Sequence, residues 1–160
     1  MFDGRTFASI DEGVAHAEKV GFDEIIARAA RVAAVLPPDL VYIGFSLGVL
    51  PAQQLAQARP GARGAVLLHG GVPTSHFGTP WPVGLPLQMH VMDGDPWSEL
   101  DVAQALDAEM KTAELFVYPG TAHLFTDSSL AEYDRTAGNA VLDRVRSFLA
   151  ISTGPDPAEA

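Results

Sequence analysis

Hydrophobic positions along the chain change rhythm at Pro37-Pro38. Before it, residues 10–19 and 22–36 have helix-like composition, and Phe22, Ile25, Ile26, Ala29, Ala33 and Leu36 recur near the spacing of one helix face. The two prolines stop that pattern, because proline lacks the amide proton and the backbone freedom a helix interior needs. After them, apolar residues gather in short, almost unbroken runs at 40–45, 65–68, 86–92 and 114–118, which read as strands. Helix-length segments at 47–58 and 99–110 lie between them, and 133–149 reads as a closing helix. Residues 70–84, rich in Gly and Pro, read as a long loop. Strands that are apolar on both faces and joined by helical crossovers predict an α/β fold, a mostly parallel sheet of about four strands with helices on both faces.

Composition sets the surroundings for this fold. The 160 residues fit one domain, assigned to residues 1–150, and 48% hydrophobic content supplies a sizeable core. Residues 151–160, with Thr153-Gly154-Pro155-Asp156-Pro157, read as a disordered tail. No window approaches the roughly 18 to 20 uninterrupted apolar residues of a membrane span, and the first residues lack the basic-then-apolar pattern of a signal peptide. A soluble, cytoplasmic chain without membrane association is the expectation. A formal net charge of -10 opposes binding to polyanions and argues against nucleic acid as a partner. With no cysteine, the chain has no disulfide framework, thiolate metal site or cysteine nucleophile.

The chemistry gathers where the predicted strands end. Gly44-Phe45-Ser46-Leu47-Gly48 follows Leu40-Val41-Tyr42-Ile43 and precedes helix-compatible sequence. That is the context of a nucleophile elbow, where small flanking residues let a tight turn hold the serine Oγ clear of the sheet. Asp93 and Asp95 follow the third run and His123 the fourth, and Ser, Asp, His along the chain is the α/β-hydrolase order. Serine is a weak nucleophile without a base, and the base needs a third group to set its tautomer and stabilise its positive charge. Ser46, His123 and Asp95 take these roles; Asp95 is preferred to Asp93 because Asp95-Pro96-Trp97 starts the turn away from the strand. The Leu47 amide, at the start of a helix, supplies one oxyanion donor. A second would come from a loop after an earlier strand, and no such strand is predicted. Phe45, Phe77, Trp81, Trp97 and Phe125 are candidates for an apolar substrate pocket.

Each assignment has a plainer counterpart. Ser46 suits a helix N-cap, and Asp93 a cap or a solvated position. His69 and His90, in or beside apolar runs, read as satisfied structural histidines, and His76 as an exposed loop residue. Asp93-Gly94-Asp95 lacks the glycine and distal glutamate of a calcium-binding loop, and neither metal nor cofactor is assigned. What favours the site is that Ser46, His69, the aspartates and His123 all fall at or just beyond strand carboxyl ends, where sheets of this kind place their function.

Met1-Phe2-Asp3-Gly4, Gly44-Phe45-Ser46-Leu47-Gly48, Asp93-Gly94-Asp95-Pro96 and Tyr118-Pro119-Gly120-Thr121-Ala122-His123-Leu124-Phe125 together resemble segments of the dienelactone hydrolase family of α/β-hydrolases, over nearly the whole chain to about Ala150. The resemblance implies the C-terminal portion of that fold, acting on a small-molecule ester or lactone. Three departures shape the expectation. The best-known members carry cysteine at the elbow, so Ser46 makes the site resemble that of an ordinary serine esterase. Members that act on dienelactone place an arginine four residues after the histidine to hold the substrate carboxylate; Asp127 stands here and would repel it. Met1-Phe2-Asp3-Gly4 resembles a mid-domain segment, which implies that the first strands of the family's domain, with the second oxyanion donor, are missing. Residues 40–45 then become a sheet edge, open to pairing with a second copy as a homodimer. The competing expectation is a non-catalytic chain, a truncated pseudoenzyme or interaction module.

Overall fold

The computed structural model describes residues 2–152; all but the first two positions of the expected tail lie outside the described residues. The chain divides into two compact units, Met1–Pro37 and Pro38–Ala160. In the first, Ser9 caps helix α1 (Ile10–Val20): its Oγ accepts from the Glu12 amide at 3.2 Å, while Glu12 Oε2 accepts from the Ala8 amide at 3.1 Å. Gly21, at φ 88°, separates α1 from α2 (Phe22–Ala33). Glu24 then accepts from Arg28 at 3.0 Å and Arg31 at 2.9 Å, one and two turns on. The helical pattern expected to reach residue 36 ends at Ala33; residues 34–35 form a turn, and Leu36, which precedes Pro37, is disfavoured in helical conformation.

The second unit is a parallel sheet of four strands, β1 (Val41–Phe45), β2 (Gly64–Leu68), β3 (Leu87–Met92) and β4 (Ala113–Tyr118), paired in the order β1-β2-β3-β4. Helix α3 (Val49–Ala58) packs on β1 and β2, and α4 (Leu100–Glu109) on β3 and β4. Successive strand residues face opposite sides, so Leu67 lies toward α3 and α4 while Val66 and Leu68 lie toward α5 (Arg135–Ser152). On that second side Val66, Leu68, Met92, Tyr118, Phe125, Ala137, Val141 and Phe148 form one core. Helix α5 includes residues 151 and 152, the first two positions of the expected tail. Strands β2 and β3 are buried throughout, which accounts for the continuous apolar sequence of β2 and the mainly apolar sequence of β3, whose Gln88 and His90 are buried polar residues. Strand β1 is an edge: Tyr42 and Gly44 are buried, whereas Ile43 and Phe45 are 40% and 55% exposed.

The connection from β2 to β3 contains a single 3-10 turn, Thr74–Phe77, and no longer helix. Two buried glutamines of α3 fasten it. Gln53 Nε2 donates to the Val72 carbonyl at 2.6 Å and its Oε1 accepts from the Val72 amide at 3.1 Å, while Gln57 Nε2 donates to the carbonyls of Thr74 (3.1 Å) and Thr79. Side-chain amides thus satisfy backbone groups that no strand partner reaches. Among the described residues, no helix is long and apolar enough to cross a membrane.

A polar chain runs through the α5 side of the core. His90 bonds through Nδ1 to the Tyr118 hydroxyl at 2.9 Å and through Nε2 to Gln88 Oε1 at 3.0 Å, and Arg144 donates to the same hydroxyl at 2.7 Å while its guanidinium sits 4.1 Å over the Phe116 ring. Burial first, and the charge of Arg144 second, push the His90 pKa from 6.5 down to about 3. Unfolded chains take up this proton below about pH 6.5 and the folded protein does not, so the stability contribution is complete above that pH and is lost as pH falls toward 3. The free energy of urea unfolding is expected to fall by up to about 1.4 kcal/mol per pH unit from this histidine alone between about pH 6 and pH 4. In His90→Gln the dependence should be shallower by that amount; an equally steep dependence would refute the assignment.

Candidate active site

The site is assembled at the carboxyl end of the sheet. Directly after β1 the backbone doubles back through a 3-10 turn, Ser46–Gly48, into α3. Gly44 makes this possible: a Cβ there would lie 2.5 Å from the Gly48 carbonyl oxygen and 2.6 Å from Val49 Cα, so only glycine lets α3 pass this close to the strand. Gly48 has no comparable neighbour, and the expectation that both flanking residues must be small holds on the Gly44 side alone. Ser46 adopts φ 48°, a left-handed conformation that side chains rarely take, which lifts its Oγ off the strand. That oxygen caps no helix; it lies 2.7 Å from His123 Nε2. The Leu47 amide is in the first turn of the helical segment, where backbone donors have no carbonyl four residues earlier in the helix.

His123 comes from the loop after β4, at the opposite edge of the sheet from β1. Its Nδ1 lies 2.7 Å from Asp95 Oδ2, and the side chains of Asp95 and His123 are 0% and 5% exposed. An ionised carboxylate only accepts, so Nδ1 carries the proton and Nε2 is left with a lone pair toward the Ser46 hydroxyl. The other Asp95 oxygen accepts from the Trp97 amide at 2.9 Å, and Ser98 Oγ donates to the Asp95 carbonyl at 3.3 Å, which fixes the turn. Asp93 does something else: its Oδ1 accepts from the Gly120 amide at 3.0 Å, and Gly94 donates to the Gly120 carbonyl at 2.8 Å, joining the ends of β3 and β4 below the His123 loop.

The remaining candidates divide. Phe45 and Trp97 are exposed, with Phe45 6.2 Å from the His69 ring and Trp97 6.3 Å from the His123 ring, centroid to centroid. Trp81 and Phe125 face inward instead. Trp81 is buried and donates to the Leu85 carbonyl at 2.9 Å; Phe125 is fully buried against Tyr118 and His69. As large apolar groups beside a covered sheet, they contribute more as core than as a pocket rim. Phe77 is half-buried in the 3-10 turn with its ring against His76. Among the described residues, no group of three or more His, Asp or Glu is placed to hold a metal ion.

His69, expected as a satisfied structural histidine, stands nearer the site than its apolar sequence context suggests. It sits at the end of β2, 1% exposed, and its Nε2 bonds Thr126 Oγ1 at 2.8 Å, three residues beyond His123. Unlike His90, it is not satisfied, because its buried Nδ1 has no hydrogen-bond partner. Its position at a strand's carboxyl end is the signal that could have singled it out.

Among solved structures, the chain resembles a candidate dienelactone hydrolase from Klebsiella pneumoniae subsp. pneumoniae MGH 78578, with a TM-score of 0.64 and 22% identity over 84% of this chain and 63% of that one. A dienelactone hydrolase-like promiscuous phosphotriesterase, P91, from metagenomic libraries gives 0.64 and 17% over 95% and 72%. The Bacillus cereus carboxylesterase gives 0.50 and 17% over 79% and 60%. The chain therefore spans less than two thirds of the length of the Klebsiella and Bacillus proteins. No curated protein sequence matches it. The sequence profile of the dienelactone hydrolase family matches residues 4–152, and with its parallel α/β sheet the chain belongs to that family.

Proposed function

We propose that this chain hydrolyses small-molecule esters or lactones through an acyl-enzyme on Ser46. The observation that carries the reading is the unbroken run of two 2.7 Å hydrogen bonds, Ser46 to His123 to Asp95, with the carboxylate and imidazole withdrawn from water. Ser46 Oγ attacks the substrate carbonyl carbon while His123 Nε2 takes its proton, and Asp95 stabilises the resulting imidazolium. The Leu47 amide donates to the developing oxyanion. When the tetrahedral intermediate collapses, the carbon–oxygen bond to the leaving alcohol breaks and His123 returns the proton to that alcohol, which in a lactone stays tethered to the acyl group. Water, deprotonated by His123, then attacks the acyl-Ser46 ester and releases the carboxylic acid with the serine restored.

The surroundings favour a neutral, partly apolar substrate. Phe45, against His69, and Trp97, near His123, are both exposed and offer apolar ring surface to an acyl or alcohol group. Asp127, four residues after His123, is one of the acidic residues behind the chain's net charge of -10 and disfavours an anionic substrate. Hydrolysis of an ester or lactone accords with the names of the similar structures, a candidate dienelactone hydrolase and a carboxylesterase, which describe those proteins.

Three measurements test the reading. A fluorophosphonate probe should label the protein at Ser46, and Ser46→Ala should abolish both labelling and hydrolysis of p-nitrophenyl acetate; a wild type that does not label would favour the non-catalytic alternative. Asp95→Asn is expected to lower kcat by about 10⁴, and Asp93→Asn by no more than a few-fold. The roles are reversed if Asp93→Asn is the more damaging. Finally, kcat/KM for a neutral phenyl ester should exceed that for its analogue with a free carboxylate by at least about tenfold, and equal values would remove Asp127 and the aromatic rim from the argument.

A further inference from the structure

The β2 end carries two costs that ordinary packing does not explain. His69 has φ 68° although it is not glycine, and its buried Nδ1 lacks a hydrogen-bond partner. An apolar residue would remove the second cost and glycine the first, so the histidine stands there against local preference, and strain of that kind concentrates at functional sites. What the ring touches indicates the function. Its centroid lies 5.8 Å from the His123 ring in an edge-on arrangement and 4.8 Å from Phe125, and its Nε2 bonds Thr126, so one imidazole meets three residues of the loop that brings His123 across the sheet. From Asp93 to Gly120 the loop is tied near its root at β4; the His69–Thr126 bond ties it at its far end.

We propose that His69 is a positioning residue for His123: together with Thr126 it clamps the 119–126 loop so that His123 Nε2 stays in hydrogen-bond reach of Ser46. The proposal rests on the triad reading above. A neutral ring suits the task, since a charged one would repel the imidazolium that forms on His123. Burial first, and the nearby His123 second, push the His69 pKa down to about 4, while Asp95 pulls the other way, so the ring stays uncharged where the triad would work. The other groups packed against it, Phe45, Phe125 and Thr126, do not titrate.

The test uses Thr126→Val, which keeps the side chain's shape and removes the hydroxyl, beside Thr126→Ser, which restores it. His69→Asn is a third variant, since asparagine tolerates a left-handed backbone and is too short to reach Thr126. Expected is a fall of about 10- to 100-fold in kcat and in the rate of fluorophosphonate labelling for Thr126→Val and His69→Asn, with KM within about twofold and Thr126→Ser near wild type. A second readout needs no turnover: the far-downfield NMR proton of the His123 Nδ1–Asp95 bond should be present in wild type and Thr126→Ser and broadened or lost in Thr126→Val. Wild-type kcat, labelling rate and proton signal in folded Thr126→Val would overturn the positioning role while leaving the triad intact. Turnover that survives Ser46→Ala, or a wild type lacking the downfield proton, would overturn the triad reading and this proposal with it.

Discussion

Ser46 and the root of the loop bearing His123 stand at opposite edges of the sheet, and the site exists because that gap is bridged. Three inter-strand spacings, about 14 Å, separate β1 from β4. A loop of a few residues thrown over such a distance loses much conformational freedom and has little secondary structure of its own. It is held by side chains from the strands it passes: Asp93 and Asp95 after β3, His69 after β2 and Ser46 after β1. Each of the three strands that the loop passes thus contributes a fastening at its carboxyl end, and β3 two, which is why a parallel order is needed and an antiparallel one would scatter these groups over both edges.

The two buried strand histidines show how similar sequence contexts reach different ends. His90 lies within β3 and finds Gln88 and Tyr118, so its burial is fully satisfied. His69 lies just past β2, where the ladder no longer dictates the backbone, and it turns to a left-handed conformation that aims the ring under the His123 loop. A shift of one residue beyond the strand end separates a core histidine from one that faces the site.

Much of this was legible in the sequence because the central strands are buried on both faces. Residues 65–68 and, but for Gln88 and His90, 86–92 announce themselves as apolar runs, and Ser46, Asp95 and His123 stand out as polar residues where such runs stop. Asp95 could be separated from Asp93 through Pro96, which turns the chain away from the strand; what could not be seen is that Asp93 would engage the Gly120 amide, a contact that depends on the β3–β4 register. Trp81 and Phe125 misled for a general reason: aromatic residues in loops look alike whether their rings face solvent or core, and only the packed chain decides. Gly48 looked obligatory by its place in the motif, yet the close approach that demands glycine is borne by Gly44 alone.

The glutamine clasp on the β2–β3 connection bears on the kinetics of the molecule. Gln53 and Gln57 lend the connection the hydrogen bonds it cannot make for itself, so its order is conditional on α3 and the two melt as one cooperative unit. To swing this segment outward would mean opening buried amide pairs in the helix that begins at the serine turn. The connection is therefore held as an extension of the α3 layer rather than as a free loop.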